Sequence, residues 1–302
     1  MKQVALIIIL LTIITGSKNS IFGQSTPLFS EYNYNPFIIN PAYTGFHEHT
    51  DIFLSNNGLM NDFHGSPKNI TFTVNSPIAS KNIGIGAGFI NDRVGVTSVN
   101  HISYKIDVDM EGERPNYEIV SPYFISFGLR AGVKFYQENL LELGIMDDPE
   151  FDHNLRSKIP TVGAGFVLNK NHFFVGLSTS NLLGNLLANG DEIKTKNPYY
   201  GYFGYRFYTN DFREVLVKPS LLFKYEQGAP FQVDINTSVS YKNKVEFGMG
   251  YRTTSALNVT IGFYALKHMR LLYSYNQPFN NLPIKNTHGL SLHFRFGNGF
   301  TD

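Results

Sequence analysis

The chain is 302 residues long, with a formal net charge of +1, 16% charged residues and no cysteine. With no block of Lys or Arg it lacks the electrostatic footprint of a nucleic-acid binder, and without a thiol it has no disulfide, thiolate metal site, cysteine nucleophile or lipidated N-terminal cysteine. Its 26 Phe, 18 Tyr and 27 Gly, with no Trp and a mean hydropathy of −0.14, suit β-strands with one apolar and one polar face.

Lys2 is followed by an apolar run from Val4 to Ile14, then Gly16, Ser17 and a polar stretch to Gln24. That order is the pattern of a secretory signal peptide, and the run is too short for a transmembrane helix, which needs about 20 apolar residues. The expected division is a signal peptide over 1–23 with cleavage near Gly23, an N-terminal segment over 24–47, and a barrel over 48–302. The N-terminal segment holds two Asn-Pro steps, Asn35-Pro36 and Asn40-Pro41. Proline removes a donor and drives the preceding residue out of the α region, so neither a helix nor a central strand is expected. Tyr32, Tyr34, Phe37, Ile38, Ile39 and Tyr43 are too apolar for a disordered tail. The segment is therefore expected to pack as an ordered extended piece in or below a barrel mouth.

Beyond the leader no run is long enough to cross a bilayer as a helix, so a spanning protein must be a closed barrel. Strands are expected near 49–56, 69–76, 82–91, 97–109, 121–136, 160–169, 172–180, 198–209 and 214–226. The period is clearest further on. Phe231, Val233, Ile235, Thr237, Val239 and Tyr241 alternate with Gln232, Asp234, Asn236, Ser238 and Ser240, and a spanning strand needs about 9–11 residues. After a Lys242-Asn243 turn, Val245, Phe247, Met249 and Tyr251 alternate with Glu246, Gly248, Gly250 and Arg252. Leu257 to Phe263, Met269 to Tyr275 and Leu290 to Phe296 repeat the pattern. The fold expected is all-β, an outer-membrane antiparallel β-barrel of about fourteen strands, the even number typical of single-chain bacterial barrels. Long connections near 57–68, 137–159, 181–197 and 276–288 all follow odd strands and mark the outer side. Short ones at 169–171, 242–243 and 266–268 mark the periplasmic side. The connection near 110–120 breaks that rule.

Residues with chemistry were weighed in the same frame. Gly84, Gly86 and Gly88 alternate with Ile85, Ala87 and Phe89 inside a strand, which suits relief of crowding or a bend and not a phosphate loop. His47-Glu48-His49 places two imidazoles on one strand face, at most half a zinc site. Asp147-Asp148-Pro149-Glu150, Asp152 and His153 lack the spacing of a calcium loop and read as a solvated acidic loop. Ser291 and His293 share an inward face two residues apart, a spacing that does not by itself make a hydrogen bond, and Gly-x-Ser-x-Gly is absent, so no catalytic, cofactor or metal residue is assigned. Arg130, Lys134, Lys218, Lys224, Asp234, Glu246, Arg252, Arg270 and Arg295 are expected to line the lumen. They fit either a salt-bridged closed lining or a path for a polar solute, and both meet the cost of burying charge.

The stretch Tyr34-Asn35-Pro36-Phe37-Ile38-Ile39-Asn40-Pro41-Ala42-Tyr43-Thr44-Gly45 resembles the N-terminal signature of the PorP/SprF family, type IX secretion system membrane proteins of the Bacteroidetes. The similarity runs on through Gly65-Ser66-Pro67-Lys68, Gly84-Ile85-Gly86, Asn91-Asp92-Arg93-Val94-Gly95-Val96-Thr97 and Phe127-Gly128-Leu129-Arg130-Ala131-Gly132. It continues in Gly176 to Leu183 and at Tyr251-Arg252, while Leu59-Met60 stands where the family pattern has a Trp and Ser180 where it often has a Pro. By that resemblance the barrel sits in the outer membrane, contacts its lipid, and serves type IX secretion and the allied gliding system. It would bind, help deliver or anchor a large secreted protein through that client's C-terminal domain, alongside periplasmic and outer-membrane secretion components. Asn35, Pro36, Asn40, Pro41, Tyr43, Gly45 and Asp92 are the signature positions that become partner-binding candidates. The alternatives are a channel or transporter for small molecules and, remotely, a barrel lipase.

Overall fold

Strict alternation along a strand has one structural outcome when the sheet closes: one face meets lipid and the other meets the lumen. The computed structural model describes residues 31–47, 49–59, 65–78, 83–111, 121–145, 148–183, 197–209, 212–253, 256–279 and 286–300. The expected signal peptide, residues 24–30, Glu48 and Asp147 lie outside the described residues. So do 60–64, 112–120, 184–196 and 280–285 within the expected connections.

The strands are β1 Asp51–Leu59, β2 Lys68–Pro77, β3 Ile83–Val94, β4 Thr97–Glu111, β5 Ser121–Glu138, β6 Leu155–Asn171, β7 Phe173–Thr179, β8 Pro198–Tyr205 and β9 Phe207–Tyr208. They continue as β10 Val215–Glu226, β11 Gln232–Tyr241, β12 Val245–Arg252, β13 Ala256–Leu266, β14 Met269–Pro278 and β15 Thr287–Arg295. β8 and β9 pair with the same strand, β10, and are two halves of one stave broken at Arg206, so the barrel has 14 staves. Each stave pairs antiparallel with its sequence neighbours, and the ring closes through Asp51 opposite Arg295 on β1 and β15. Closure gives each described stave a partner on both sides, which is how backbone polar groups are satisfied in hydrocarbon.

The outer wall is apolar because its side chains replace water contact with lipid contact. On β12, Phe247, Met249 and Tyr251 are about half exposed, whereas Glu246, on the opposite face, is sealed. Aromatic rings collect at both ends of the wall, with Tyr199, Tyr225, Phe231, Tyr251 and Phe279 at one and Tyr205, Phe207, Tyr241 and Phe296 at the other. Such girdles sit at the two membrane interfaces. The second end also holds both barrel termini and the turns at 172, 242–244 and 267–268. It is the periplasmic end, and the connections at 139–154 and 180–197 lie opposite. Lys242 and Asn243 both take positive φ, 49° and 47°, as a tight hairpin turn requires.

Sequence periodicity understates one hairpin. The span 137–159, expected to be a connection, contains the outer ends of β5 and β6, paired from Glu138–Leu155 through Val133–Pro160. Arg156 and Lys158 occupy its outward face. Above the lipid neither face has to be apolar, so the ladder continues where the hydrophobic alternation has stopped. His47 and His49 likewise fall outside a strand, because β1 begins at Asp51 and not at 49. Their expected shared strand face is absent.

Leu129, 65% exposed midway along β5, faces lipid. Leu129→Arg should cost about 2–4 kcal/mol in urea-driven unfolding from vesicles, and Gln137→Arg near the outer end about 0–1 kcal/mol. Equal costs at the two depths would contradict the placement of the membrane.

Candidate functional site

The lumen is occupied by the chain's own N-terminal segment. Asn35 and Asn40 have φ of −142° and −130°, the non-α backbone that a following proline imposes. Each proline then opens a 3₁₀ turn, since its fixed φ suits the first position and its missing donor is not needed there. The result is three turns, Glu31–Asn33, Pro36–Ile38 and Pro41–Tyr43, in place of the extended conformation expected from the prolines alone. Asn40 caps the third turn by accepting a hydrogen bond from the Ala42 amide at 2.9 Å.

This staircase is a plug. Tyr32, Phe37, Ile38, Ile39, Ala42 and Tyr43 are all 6% exposed or less and form one cluster with wall residues Phe53, Phe124, Val167, Phe174, Tyr200, Tyr202 and Leu222. Burial pushes the Tyr32, Tyr34 and Tyr43 phenols well above their ordinary range, so they stay neutral. Polar contacts reach almost around the ring. Asn33 Oδ1 accepts from Ser220 at 2.9 Å and from Tyr202 at 3.2 Å, and Tyr32 accepts from Asn236. Asn35 donates to Thr73 at 2.9 Å, and Asn40 donates to the carbonyls of Phe166 and Leu177 at 3.1 and 3.4 Å. Ser178 and Ser126 donate to the carbonyls of Ile39 and Ala42, and the Gly45 amide donates to Asn75. These bonds satisfy plug backbone that would otherwise be buried without partners.

Inward glycines make the room. A Cβ on Gly84 would lie 2.1 Å from the Thr44 carbonyl oxygen, one on Gly128 2.2 Å from the Pro41 carbonyl carbon, and one on Gly165 2.0 Å from Asn40 Oδ1. The crowding that glycine relieves in these strands is the plug itself.

The lumen charges sit as follows. Arg252 bonds Asp234 through two nitrogens at 2.9 and 2.8 Å. Glu246, fully buried, lies 3.4 Å from both Lys218 and Arg270 and accepts from the Tyr264 hydroxyl at 3.1 Å. Arg295 donates to Asp51 at 2.8 Å across the closing seam, and Lys224 lies 3.5 Å from Glu226. Arg130 is buried at 3% exposure, and Lys134 shares the lumen with Asp92 and Glu226. The Arg252–Asp234, Glu246–Lys218, Glu246–Arg270 and Arg295–Asp51 pairs join different strands, whereas Lys224 and Glu226 share β10.

Of the signature positions, Asn35, Pro36, Asn40, Pro41, Tyr43 and Gly45 come together in the plug. Asp92 stands apart on β3, where its carboxylate accepts from Asn69 at 3.2 Å. Sequence reasoning passed over Asn33 as a contact residue and Asp51 as a member of the charged lining, and gave no role to Phe300, whose ring packs beside Arg270 and Arg295. The available signal was the set of inward glycines in separate strands facing an apolar leader. His293 has Arg270 on Nδ1 at 2.8 Å and Asp51 3.7 Å from Nε2, so its two nitrogens already face partners other than Ser291. Among the described residues no group of three or more His, Cys, Asp or Glu is arranged to hold a metal ion. Beside the plug a cavity of about 110 Å³ is lined by Tyr34, Phe37, Tyr43, Asp51, Tyr202 and Lys218 among others.

A family model described as type IX secretion system membrane protein PorP/SprF matches residues 21–294. The fold is similar to the crystal structure of the Acinetobacter baumannii outer membrane protein Omp33, with a TM-score of 0.50 and 6% identity over 84% of this chain and 100% of that one. A KdgM porin matches with a TM-score of 0.40 and 8% identity over 82% of this chain and 99% of its own. Among curated proteins none matches the chain.

Proposed function

We infer the function from one premise: the chain belongs to the PorP/SprF family of type IX secretion system membrane proteins. It is an outer-membrane β-barrel of a secretion system. Its work, in our reading, is to bind, help deliver or anchor a large secreted protein, with gliding as one use of that delivery. The periplasmic turns face secretion components and the outer loops face the client. Export by the leader 1–23 is part of the same reading, and N-terminal sequencing of the mature protein checks it.

The observation that carries this reading is the plug. A wall whose inward glycines accept a folded segment, with hydrogen bonds around most of the ring, is built to stay filled. Asn35, Pro36, Asn40, Pro41, Tyr43 and Gly45 then serve by seating the plug and not by touching a partner. The outer face offers a separate surface. Leu141, Leu143 and Ile145 are 57%, 48% and 45% exposed on the loop between β5 and β6, beside the acidic Glu142, Asp148 and Asp152. Its order comes from the Leu141 amide bonded to Asn154 and from Gly144 closing the turn at φ 68°. Exposed apolar groups fixed in this way suit a protein contact. The channel reading draws on the charged lumen and the cavity beside the plug.

The test is a tagged copy purified from the native outer membrane and reconstituted in planar bilayers. The expected results are co-purification of a secreted protein's C-terminal domain and no conductance steps. Replacing Leu141, Leu143 and Ile145 together by Ser should reduce the recovered client about tenfold while the barrel stays folded. Steady conductance by the intact chain with no client bound would favour the channel instead.

A further inference from the structure

Residues 297–300, beyond the last strand, fold back under the barrel. Gly297 and Gly299 take φ of 65° and 70°, and the Phe300 amide donates to the Lys267 carbonyl at 2.9 Å. A Cβ at Gly299 would lie 2.2 Å from that same carbonyl oxygen, so the hook depends on glycine there. The hook delivers the Phe300 ring, 8% exposed, into the periplasmic mouth. Its centroid lies 5.1 Å from the Arg270 guanidinium and 4.6 Å from that of Arg295, with His293 and Tyr264 edge-on at 5.0 and 5.4 Å.

Arg270 connects this ring to the plug. Its guanidinium lies 5.3 Å from the Tyr34 ring centroid and donates through Nη2 to the Tyr34 carbonyl at 3.2 Å and to His293 at 2.8 Å, and through Nη1 to Glu246 at 3.4 Å. The N-terminal and C-terminal segments therefore hold one buried cation between an aromatic ring from each. Guanidinium over a ring is a favourable and directional contact when desolvated. Removing Phe300 takes away the one contact from the C-terminal side and leaves the guanidinium to Glu246, His293, Tyr264 and Tyr34.

We propose that Phe300 and Arg270 are positioning residues for the plug: the C-terminal hook fixes the guanidinium that seats Tyr34, so loss of the hook loosens the plug at its Tyr34 turn. The proposal rests on the plug closing the lumen, and the two ideas fail separately. Deletion of residues 31–46 tests closure. If that deletion leaves the bilayer silent, the closed-lumen reading is wrong; if it opens the barrel, the hook can be judged.

The experiment uses the full chain in planar bilayers, scored by the frequency of transient openings. Phe300→Ala should raise it about tenfold over the parent, Tyr34→Ala should do the same, and the double variant should be no worse than either, because both act through one guanidinium. Phe300→Tyr should restore the parental frequency by returning a ring. A purely structural role would lower thermal stability without changing openings, so melting is followed in parallel. Should Phe300→Ala stay silent while Tyr34→Ala opens the barrel, or should the two effects multiply in the double variant, the coupling is overturned.

Discussion

Gly128→Val combined with Gly165→Val is expected to expel the plug and leave an open barrel. The added side chains would start 2.2 Å from the Pro41 carbonyl carbon and 2.0 Å from Asn40 Oδ1, distances no side chain adopts. Pro41 cannot retreat without stretching the Asn40 bonds to Phe166 and Leu177 and the Ser126 bond to Ala42. Overpacking of this kind costs about 1–3 kcal/mol per site, and the two sites press on adjoining residues of one turn. The wall tolerates the change because its ladder is backbone. Heat-modifiability on gels should show an intact barrel, and bilayer recordings should show conductance like that of the chain lacking 31–46. Gly201→Val is the matched control: its Cβ would face outward and meet nothing closer than 3.7 Å, so it should remain silent. A double variant that is as silent and as stable as the parent would remove the plug's close fit from the account.

Glu246→Ala should be the most destabilising single change in the wall, by about 3–5 kcal/mol, the cost of leaving buried charges without a partner. Glu246 is fully buried and lies 3.4 Å from both Lys218 and Arg270, so its loss removes the carboxylate that balances two cations. Glu246→Gln keeps the shape and the bond from Tyr264 and should cost less. Adding Arg270→Met to Glu246→Gln should recover part of the loss, since removing both members of a buried pair is often neutral. Urea unfolding from detergent micelles measures all three. Strictly additive losses would mean that Glu246 and Arg270 do not depend on each other.

The placement of Phe231 to Tyr241 and Val245 to Arg252 was legible in the residues because strand period is local. Two residues that alternate in sequence alternate in space whatever surrounds them, and lipid on one side demands an apolar partner at every second position. Lys242-Asn243 was legible as a turn for the same reason, since left-handed backbone favours few residues. The outer ends of β5 and β6 were not, because above the membrane Arg156, Ser157 and Lys158 carry no alternation of polarity although their backbone still pairs.

The site divides along the same line. Sequence alone determined that the chain alternates strongly enough to close as a barrel, that charges such as Glu246 and Arg270 lie on its polar face, and that the two Asn-Pro steps exclude a continuous helix. Tertiary structure decided that those steps turn and do not extend, that Gly84, Gly128 and Gly165 face one plug, and that Asp51 meets Arg295 across 244 residues. Register within a strand is set by neighbours along the chain. Which inward residues meet across the lumen is set only when the sheet closes, since closure brings distant strands to opposite sides of one narrow space.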